Sequence, residues 1–385
     1  IYEHTKDRLM NLGIYVHIPF CVSKCKYCNF YSITQLDCAN DYLIALTKEI
    51  VKESIKYKDY DIDTIFIGGG TPSILPVGAI SLIVNTIKEN YNVLNDCEIT
   101  IESNPNSIEY TKALSWKECG VNRISVGLQT TSNRLLKLIG RAHTFDDFVK
   151  AMEVLKKVGF DNINADIMLG LPTQKQSDVK NTLKYCFNLG ITHISAYTLI
   201  LEEDTPLYKS VTNGELSLPK EEKVINMFNY VLTQTQLAGF NRYEVSNFAR
   251  SGFECKHNLN CWNMCHYVGF GCSAHSFVGN ERFNNISDVH KYIECMSNNK
   301  SVVENSEVLD NRELVEESIM LGLRTTLGVD LDMLKHKLNY DLYNIKSKEI
   351  AQLIDLGLVI CDGHRLSATT AGFYVLNQII IRLID

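Results

Sequence analysis

Between Gly13 and about Tyr197, short apolar runs alternate with longer amphipathic stretches. The runs are IYVHI (14–18), DTIFI (63–67), EITIE (98–102), RISVG (123–127), NINADIM (162–168) and HISAYT (193–198). Their length and their β-branched content predict strands. The stretches between them, at 40–56, 76–90, 107–118, 144–158 and 176–189, carry apolar residues at helical spacing and predict helices. Alternating strands and helices imply parallel β/α units joined by right-handed crossovers. Six such units without a dinucleotide-binding fingerprint predict an α/β fold built on a partial (β/α)6 barrel. In such barrels chemistry gathers at the C-terminal ends of the strands.

Beyond the barrel the pattern changes. A helix is expected over 220–239, then a strand at YEVSNF (243–248). A loop rich in Cys, Gly and aromatic residues follows through Phe277, and the polar run NNKSVVENSEVLDN (298–311) reads as a linker. Residues 312–385 predict two helices and then helix, GL turn, short hairpin and helix, a winged-helix-like arrangement. The expected division is a barrel over 1–200, a barrel-closing extension over 201–300 and a helical, winged-helix-like domain over 301–385. The last is not notably basic, which points to a packing or substrate-side role rather than DNA binding.

Composition narrows the class. With 45% hydrophobic and 22% charged residues in 385, the chain has the balance of an ordinary globular protein. A net charge of -7 disfavours a nucleic-acid partner. No apolar stretch reaches the roughly 18–20 residues of a membrane helix, so membrane contact would be peripheral only. The opening IYEHTKDRLMNLGI has no apolar signal-type core. It begins with Ile, so residues are expected to be missing before Ile1. Thirteen cysteines, an odd number, with no export signal indicate a reducing, cytoplasmic setting and no disulfide framework. Cys38, Cys97, Cys119, Cys186, Cys295 and Cys361 are scattered and read as small buried hydrophobes.

Three cysteines differ from the rest. Cys21, Cys25 and Cys28 stand in HIPFCVSKCKYCNF with spacing C-x3-C-x2-C and no nearby fourth cysteine. Such a trio suits a four-iron cluster in which one iron lacks a protein ligand and stays open to a small molecule. A zinc site would need a fourth donor, for which His17 is available. The spacing, with Tyr27 before the last cysteine, resembles the radical S-adenosylmethionine (SAM) superfamily.

Further polar residues follow strand ends. In IFIGGGTPS (65–73), Gly68, Gly69 and Gly70 permit close backbone approach to a ligand, and Thr71 and Pro72 turn the chain. The missing G-K-[ST] ending disfavours a phosphate loop of Walker type. In IESNPNS (101–107), Glu102 closes a strand, where it suits ribose hydroxyls or an ammonium group, and Asn104 is a helix cap. SVGLQT (125–130), GRAHT (140–144) and NADIMLGLP (164–172) add Gln129, Arg141 and Asp166. Arg141 offers a planar fork for a carboxylate. A buried Asp is costly unless paired or ligand-bound. His143 reads only as a residue at a helix start. The segment 255–277 holds Cys255, Cys261, Cys265 and Cys272 without a C-x2-C pair, which argues against a second cluster. Its aromatic content suits a flat apolar ligand, with His257, His266 and His275 as candidate donors to iron. The plainer reading is a packed loop that closes the barrel.

Together YVHIPFCxxxCxYCxF, GGGTPS, SVGLQ, GRxHT, D-x-x-x-GLP, YExSNFA and HN-x-x-x-W resemble the HemN/HemW group of radical SAM proteins over nearly the whole chain. One subgroup comprises oxygen-independent coproporphyrinogen III dehydrogenases, the other haem chaperones that deliver haem to respiratory proteins. The first carries a further cysteine two residues after the third ligand, where this chain has Phe30, and a longer N-terminal segment. The second carries HN-x-x-Y-W, which here reads His257-Asn258-Leu259-Asn260-Cys261-Trp262, with Cys261 in the tyrosine position. These features favour the haem chaperones. The resemblance implies that Cys21, Cys25 and Cys28 ligate a [4Fe–4S] cluster. It implies SAM contacts at Tyr15, Gly69, Gly70, Thr71, Glu102, Gln129, Arg141 and Asp166, with Tyr27 near the adenine. It implies haem near His257, Cys261 and Trp262, a homodimer, and haem-acceptor proteins as partners. The competing readings are a radical decarboxylase of coproporphyrinogen and a zinc-binding interaction protein.

Overall fold

The computed structural model describes residues 10–384. Most of the N-terminal stretch discussed above for its lack of a signal-type core lies outside the described residues. The first half alternates strand and helix: β1 (Met10–Ile18), α1 (Ala39–Glu53), β2 (Tyr60–Gly69), α2 (Ala79–Asn90), β3 (Asn92–Ser103), α3 (Tyr110–Cys119), β4 (Arg123–Gln129), a short α4 (Asn133–Leu138), α5 (Phe145–Val158), β5 (Asn162–Leu169), α6 (Gln176–Asn188) and β6 (His193–Thr198). Each strand pairs in parallel with the next. One set of alternating side chains, among them Ile14, Val16, Ile65, Ile101, Ile124 and Ile194, is buried in the main apolar core. The opposite set is mostly polar and faces inward, as the period of two in a strand requires. Helix boundaries follow local chemistry: Thr144 and Asp147 form a capping box at the start of α5, and Gly159 ends it in the left-handed conformation.

The sheet continues past both ends of this unit. After α7 (Pro206–Thr212) and α8 (Glu221–Leu237), β7 (Asn241–Arg242) and β8 (Asn247–Ala249) add antiparallel strands beside β6. Then α9 (Lys256–Trp262) leads to β9 (Tyr267–Phe270), which runs parallel to β1. β10 (His275–Val278), β11 (Glu281–Asn285), α10 (Val289–Ser297) and β12 (Val303–Val308) complete a twelve-stranded sheet. Three expectations are corrected here. Residues 255–277 hold a helix and two strands rather than a loop. The 298–311 run contains β12, whose residues are all exposed and which is held by pairing with β11 rather than by burial. Within YEVSNF only its last two residues lie in a strand, β8.

The remainder comprises α11 (Asn311–Gly322), β13 (Val329–Asp330), α12 (Leu331–Lys337), α13 (Leu342–Ile345), α14 (Ser347–Asp355), β14 (Val359–Cys361), β15 (Arg365–Ala368), α15 (Thr370–Tyr374) and α16 (Leu376–Ile384). Its small antiparallel sheet, ordered β13-β15-β14, and its helices surround a separate apolar core. Arg242 joins this unit to the barrel: its guanidinium lies 3.9 Å from the Phe373 ring centre and 5.4 Å from that of Phe228. The Thr326 backbone N–H also donates to the Tyr243 carbonyl at 3.0 Å.

The inward-facing polar residues form a connected floor in the barrel. The Tyr243 hydroxyl accepts from the Cys255 backbone at 3.3 Å and donates to His193 Nε2 at 2.8 Å. His193 Nδ1 donates to Asn164 Oδ1 at 2.6 Å. Asn164 Nδ2 donates to Ser125 Oγ at 2.8 Å and to Asp166 at 2.7 Å. Glu98 accepts from the backbone of Lys256 and of His257, both at 3.1 Å, and so caps α9. Arg123, 2% exposed, supplies the balancing charge. Glu98→Ala strips α9 of its cap and leaves Arg123 without that counter-charge. It should destabilise the protein by on the order of 3 kcal/mol in urea unfolding, whereas Glu53→Ala on the surface should leave the midpoint nearly unchanged.

Candidate functional site

The C-terminal ends of β1 and β2 are drawn together by two backbone hydrogen bonds, from Gly70 to the Ile18 carbonyl and from Thr71 to the Phe20 carbonyl, both 2.8 Å. A side chain at Gly70 would meet those same two carbonyl oxygens at 2.9 and 2.7 Å. Gly69 has a φ of 108°, and a Cβ there would strike the His17 ring at 2.6 Å. Both positions therefore need glycine. The approach sets the start of the cysteine loop against the glycine turn, and Cys21 Sγ lies 3.5 Å from Thr71 Oγ1.

Cys21, Cys25 and Cys28 are all free and half-exposed. Burial pushes the Cys28 thiol up, and the neighbouring thiols Cys25 and Cys21 add to the rise. Thiolates that repel one another favour a cationic partner. Arg141 organises this side. Its Nη1 donates to Cys25 Sγ at 3.5 Å, its Nη2 to the Gly127 carbonyl at 2.8 Å and to Asn104 Oδ1. Asn104 Nδ2 in turn donates to Thr71 Oγ1 at 3.2 Å. One guanidinium thus links Cys25 directly, and Cys21 through Asn104 and Thr71. Gly127 leaves room for it, since a Cβ there would lie 2.9 Å from Arg141 Nη2 and 3.1 Å from Gln129 Nε2. Gln129 ends β4 with a φ of 65°, an uncommon backbone state for a residue other than glycine.

His143 does more than start a helix. Arg141 Nε can only donate, so His143 Nδ1 accepts from it at 3.3 Å and Nε2–H donates to the Leu128 carbonyl at 3.2 Å. Burial lowers its pKa to about 3, which keeps the ring neutral beside Arg141. Asn104 and His143 are thus site residues that the sequence reading took only for helix-terminal positions.

Glu102 projects from the end of β3 and accepts from the Gly69 backbone at 3.0 Å. Burial raises its pKa to about 7, and the like charge of Asp166 adds to the rise. Asp166 is also raised by burial, against hydrogen bonds from Asn164, Ser195 and Ser125. Burial raises Tyr27 strongly, and the charges of Arg141, Cys25, Cys28 and Asp166 all act on it, so these groups share one neighbourhood. Two buried carboxyl groups, a glycine cradle and a guanidinium suit a small zwitterionic cation such as SAM.

Tyr15 donates to His17 Nδ1 at 2.9 Å, and His17 Nε2–H donates to the Tyr31 carbonyl at 3.1 Å. Both ring nitrogens of His17 are committed, so the zinc alternative loses the fourth donor that the sequence offered. Among the described residues no group of three or more His, Cys, Asp or Glu side chains is already gathered around the position of a single metal ion. A cubane cluster takes its thiolates at separate corners of a larger body. The donor set of three soft, partly exposed sulfurs fits that demand.

A second feature is a cavity of about 570 Å³ between the barrel rim and α11. Cys261 and Trp262 line it, with Tyr197 from the end of β6. His257 does not. Its ring is buried inside the barrel, 3.0 Å from Thr64 Oγ1 through Nδ1 and stacked on Phe66 at 5.2 Å. The three residues named for haem are therefore split, one in the floor and two in the cavity wall. Tyr197 was missed; its inward register on β6 opposite Met168 of β5 was the available signal.

Comparison with known proteins agrees with this architecture. Residues 15–186 match the radical SAM superfamily and residues 309–375 match the HemN C-terminal domain. The structure of coproporphyrinogen III oxidase (HemN) from Escherichia coli superposes with a TM-score of 0.85 over 98% of this chain and 90% of that one, at 22% identity. The fold and site thus define a radical SAM protein of HemN-like architecture. The heme chaperone HemW of Lactococcus lactis is 35% identical over 95% of both chains. That of Bacillus subtilis is 35% identical over 95% of this chain and 97% of its own. The chain belongs to the HemW family.

The raised pKa of Glu102 has a measurable consequence. A carboxyl whose folded pKa exceeds its unfolded value favours the fold when protonated, and that advantage fades as pH rises from about 4.5 through about 7. Glu102→Gln should match the wild-type apoprotein in urea stability below pH 4.5. It should become the more stable of the two as pH rises, with the gap levelling off above pH 7. A pH-independent difference would remove Glu102 from this role.

Proposed function

We propose that this chain is a haem chaperone that carries a [4Fe–4S] cluster on Cys21, Cys25 and Cys28 and binds SAM beside it. The observation that carries the cluster reading is the three-cysteine loop with no fourth donor, held to the SAM cradle by Arg141, Asn104 and Thr71. A cluster bound through three protein thiolates supplies one-electron chemistry and one open iron site. The residues of this chain then divide the work. Glu102 and Asp166 receive the cationic and hydroxyl groups of SAM. Gly69, Gly70 and Thr71 admit it close to the backbone, and Gln129 and Arg141 face its carboxylate end. Tyr15 and Tyr27 exclude water, Tyr27 from beside the adenine.

Haem carriage rests on two supports: the apolar, aromatic cavity beside Cys261 and Trp262, and the name shared by full-length relatives at 35% identity. Phe30 is 69% exposed at the position where the dehydrogenase subgroup carries a further cysteine, which favours carriage over decarboxylation. The proposed setting is the cytoplasm, with haem-dependent respiratory proteins as acceptors and a homodimer as the working form. No helix among the described residues is long and apolar enough to cross a membrane, so access to membrane-bound acceptors would be peripheral.

Anaerobic reconstitution with iron and sulfide tests the first part. The wild type should gain four irons per chain, as one cubane requires, and turn brown, whereas Cys25→Ser should remain colourless with unchanged circular dichroism. Full iron content in that variant would dismiss the ligand set. Asp166→Ala should keep the cluster and lose SAM affinity by about tenfold, as expected for one charge-assisted contact. Incubation with SAM, reductant and either haem or coproporphyrinogen should give bound haem and no vinyl product. Decarboxylated porphyrinogen would transfer the assignment to the dehydrogenases.

A further inference from the structure

The cavity between the barrel rim and α11 carries groups that neither the cluster nor SAM uses. Its volume of about 570 Å³ lies within the roughly 300–1,000 Å³ of cofactor pockets. Trp262, Tyr267 and Phe277 give it aromatic walls. Arg324 lines it with a buried Nε that has no hydrogen-bond partner among the described residues. Glu244 and Asn247, 1% and 4% exposed, line it too, each with a side-chain oxygen that lacks a partner among the described residues. Unpartnered buried polar atoms are costly, and a ligand with matching groups removes the cost.

Three side chains in or near this wall are candidates to bind a soft metal, and the structure distinguishes them. Met264 accepts from Ser318 Oγ at 3.2 Å through its sulfur. Cys265 lies beyond the end of α9, after Met264 in the left-handed conformation. Cys261 sits on α9 itself, one turn after His257, on a helix that Glu98 holds at its start. A rigid element positions a ligand better than a loop. His257, the obvious imidazole, faces the barrel floor and Thr64 instead.

We propose that Cys261 is the axial ligand to the haem iron in this chain, and that Arg324 receives a haem carboxylate in the same cavity. This rests on the haem-carrying reading above. Ferric iron forms the Fe–S bond as the thiol proton leaves to solvent, and no electron changes hands. A desolvated thiolate there needs a cation beside it, and the iron is that cation.

The test is titration of the full-length, cluster-loaded protein with ferric haem, read by optical and electron paramagnetic resonance spectra and by the ferrous–carbonyl Soret band. Wild type should show the red-shifted carbonyl band of thiolate ligation. Cys261→Ser should lose it while Cys265→Ser and His257→Gln keep it. Haem should also shield Cys261 of the wild type from alkylation, a readout that does not depend on any variant folding. Arg324→Gln should weaken haem binding about tenfold, the cost of one charged hydrogen bond, without changing affinity for the haem dimethyl ester. Bound haem with an imidazole-type spectrum, unaltered in Cys261→Ser, would overturn the assignment and leave haem carriage intact. A wild type that binds no haem would remove both.

Discussion

The site depends on one backbone approach: the chain at Ile18–Phe20 and the chain at Gly70–Thr71 lie within hydrogen-bonding distance, with no space for a Cβ at Gly70. Strands β1 and β2 would be neighbours in any barrel of this order. Their pairing continues past the sheet through the Gly70–Ile18 and Thr71–Phe20 hydrogen bonds. It brings the start of the cysteine loop beside Thr71, whose Oγ1 then lies 3.5 Å from Cys21 Sγ. The first sulfur donor and the glycine cradle are therefore parts of one rigid object. Arg141 extends that object across the barrel mouth, because its fork reaches Cys25, the Gly127 carbonyl and Asn104 together. A lysine could reach one of these but not all three, since its donors diverge from a single nitrogen. His143 completes the arrangement by receiving the remaining Nε–H as a neutral ring.

Beneath this mouth the barrel is filled with polar rather than apolar layers. Interiors of that kind are costly unless every group is satisfied, because low polarizability strengthens good hydrogen bonds and penalises missing ones. Here the chain Cys255–Tyr243–His193–Asn164–Asp166 runs from the start of α9 to the Asp166 carboxylate on β5. Within that chain each donor has an acceptor, and the two histidines of the floor, His193 and His257, are held neutral by burial. The floor thereby fixes the Asp166 carboxylate and the orientation of α9 with the same set of bonds. The two candidate ligand sites share a scaffold even though they face different spaces.

Much of this was legible in the sequence where apolar burial sets the pattern. β4, β5 and β6 start at the residues expected from their β-branched runs, and β1, β2 and β3 start a few residues earlier, in stretches that include exposed polar residues such as Asn11, Asn92 and Asp96. The motifs at their ends, GGGTPS, Glu102, Gln129, Arg141 and Asp166, do converge on one neighbourhood. What escaped is held by pairing or by caps instead. β12, VENSEV, is an exposed edge strand without hydrophobic periodicity. α9 is built largely from His, Asn and Cys, poor helix formers, and stands because Glu98 from a distant strand satisfies its first N–H groups. His257 looked like an exposed ligand for the same reason: nothing local reveals that a glycine at Gly13 leaves space for its ring inside the barrel.

The winged-helix-like unit has a physical role that its composition does not suggest. Glu317, Leu321 and Arg324, all from α11 or just after it, form one side of the cavity, and Cys261, Trp262 and Tyr267 from the barrel side form the other. The cavity is therefore a property of the docked pair. The docking contacts include the Arg242 guanidinium between Phe228 and Phe373, the Arg282–Glu317 ion pair, the Ser318–Met264 bond and the Tyr243–Thr326 backbone bond. A ligand that touches both walls adds its own binding free energy to that docking, and by linkage any partner that loosens the docking weakens the ligand's hold. A pocket split between two units can open by separation of its walls without unfolding either core, which suits the carrier role proposed above.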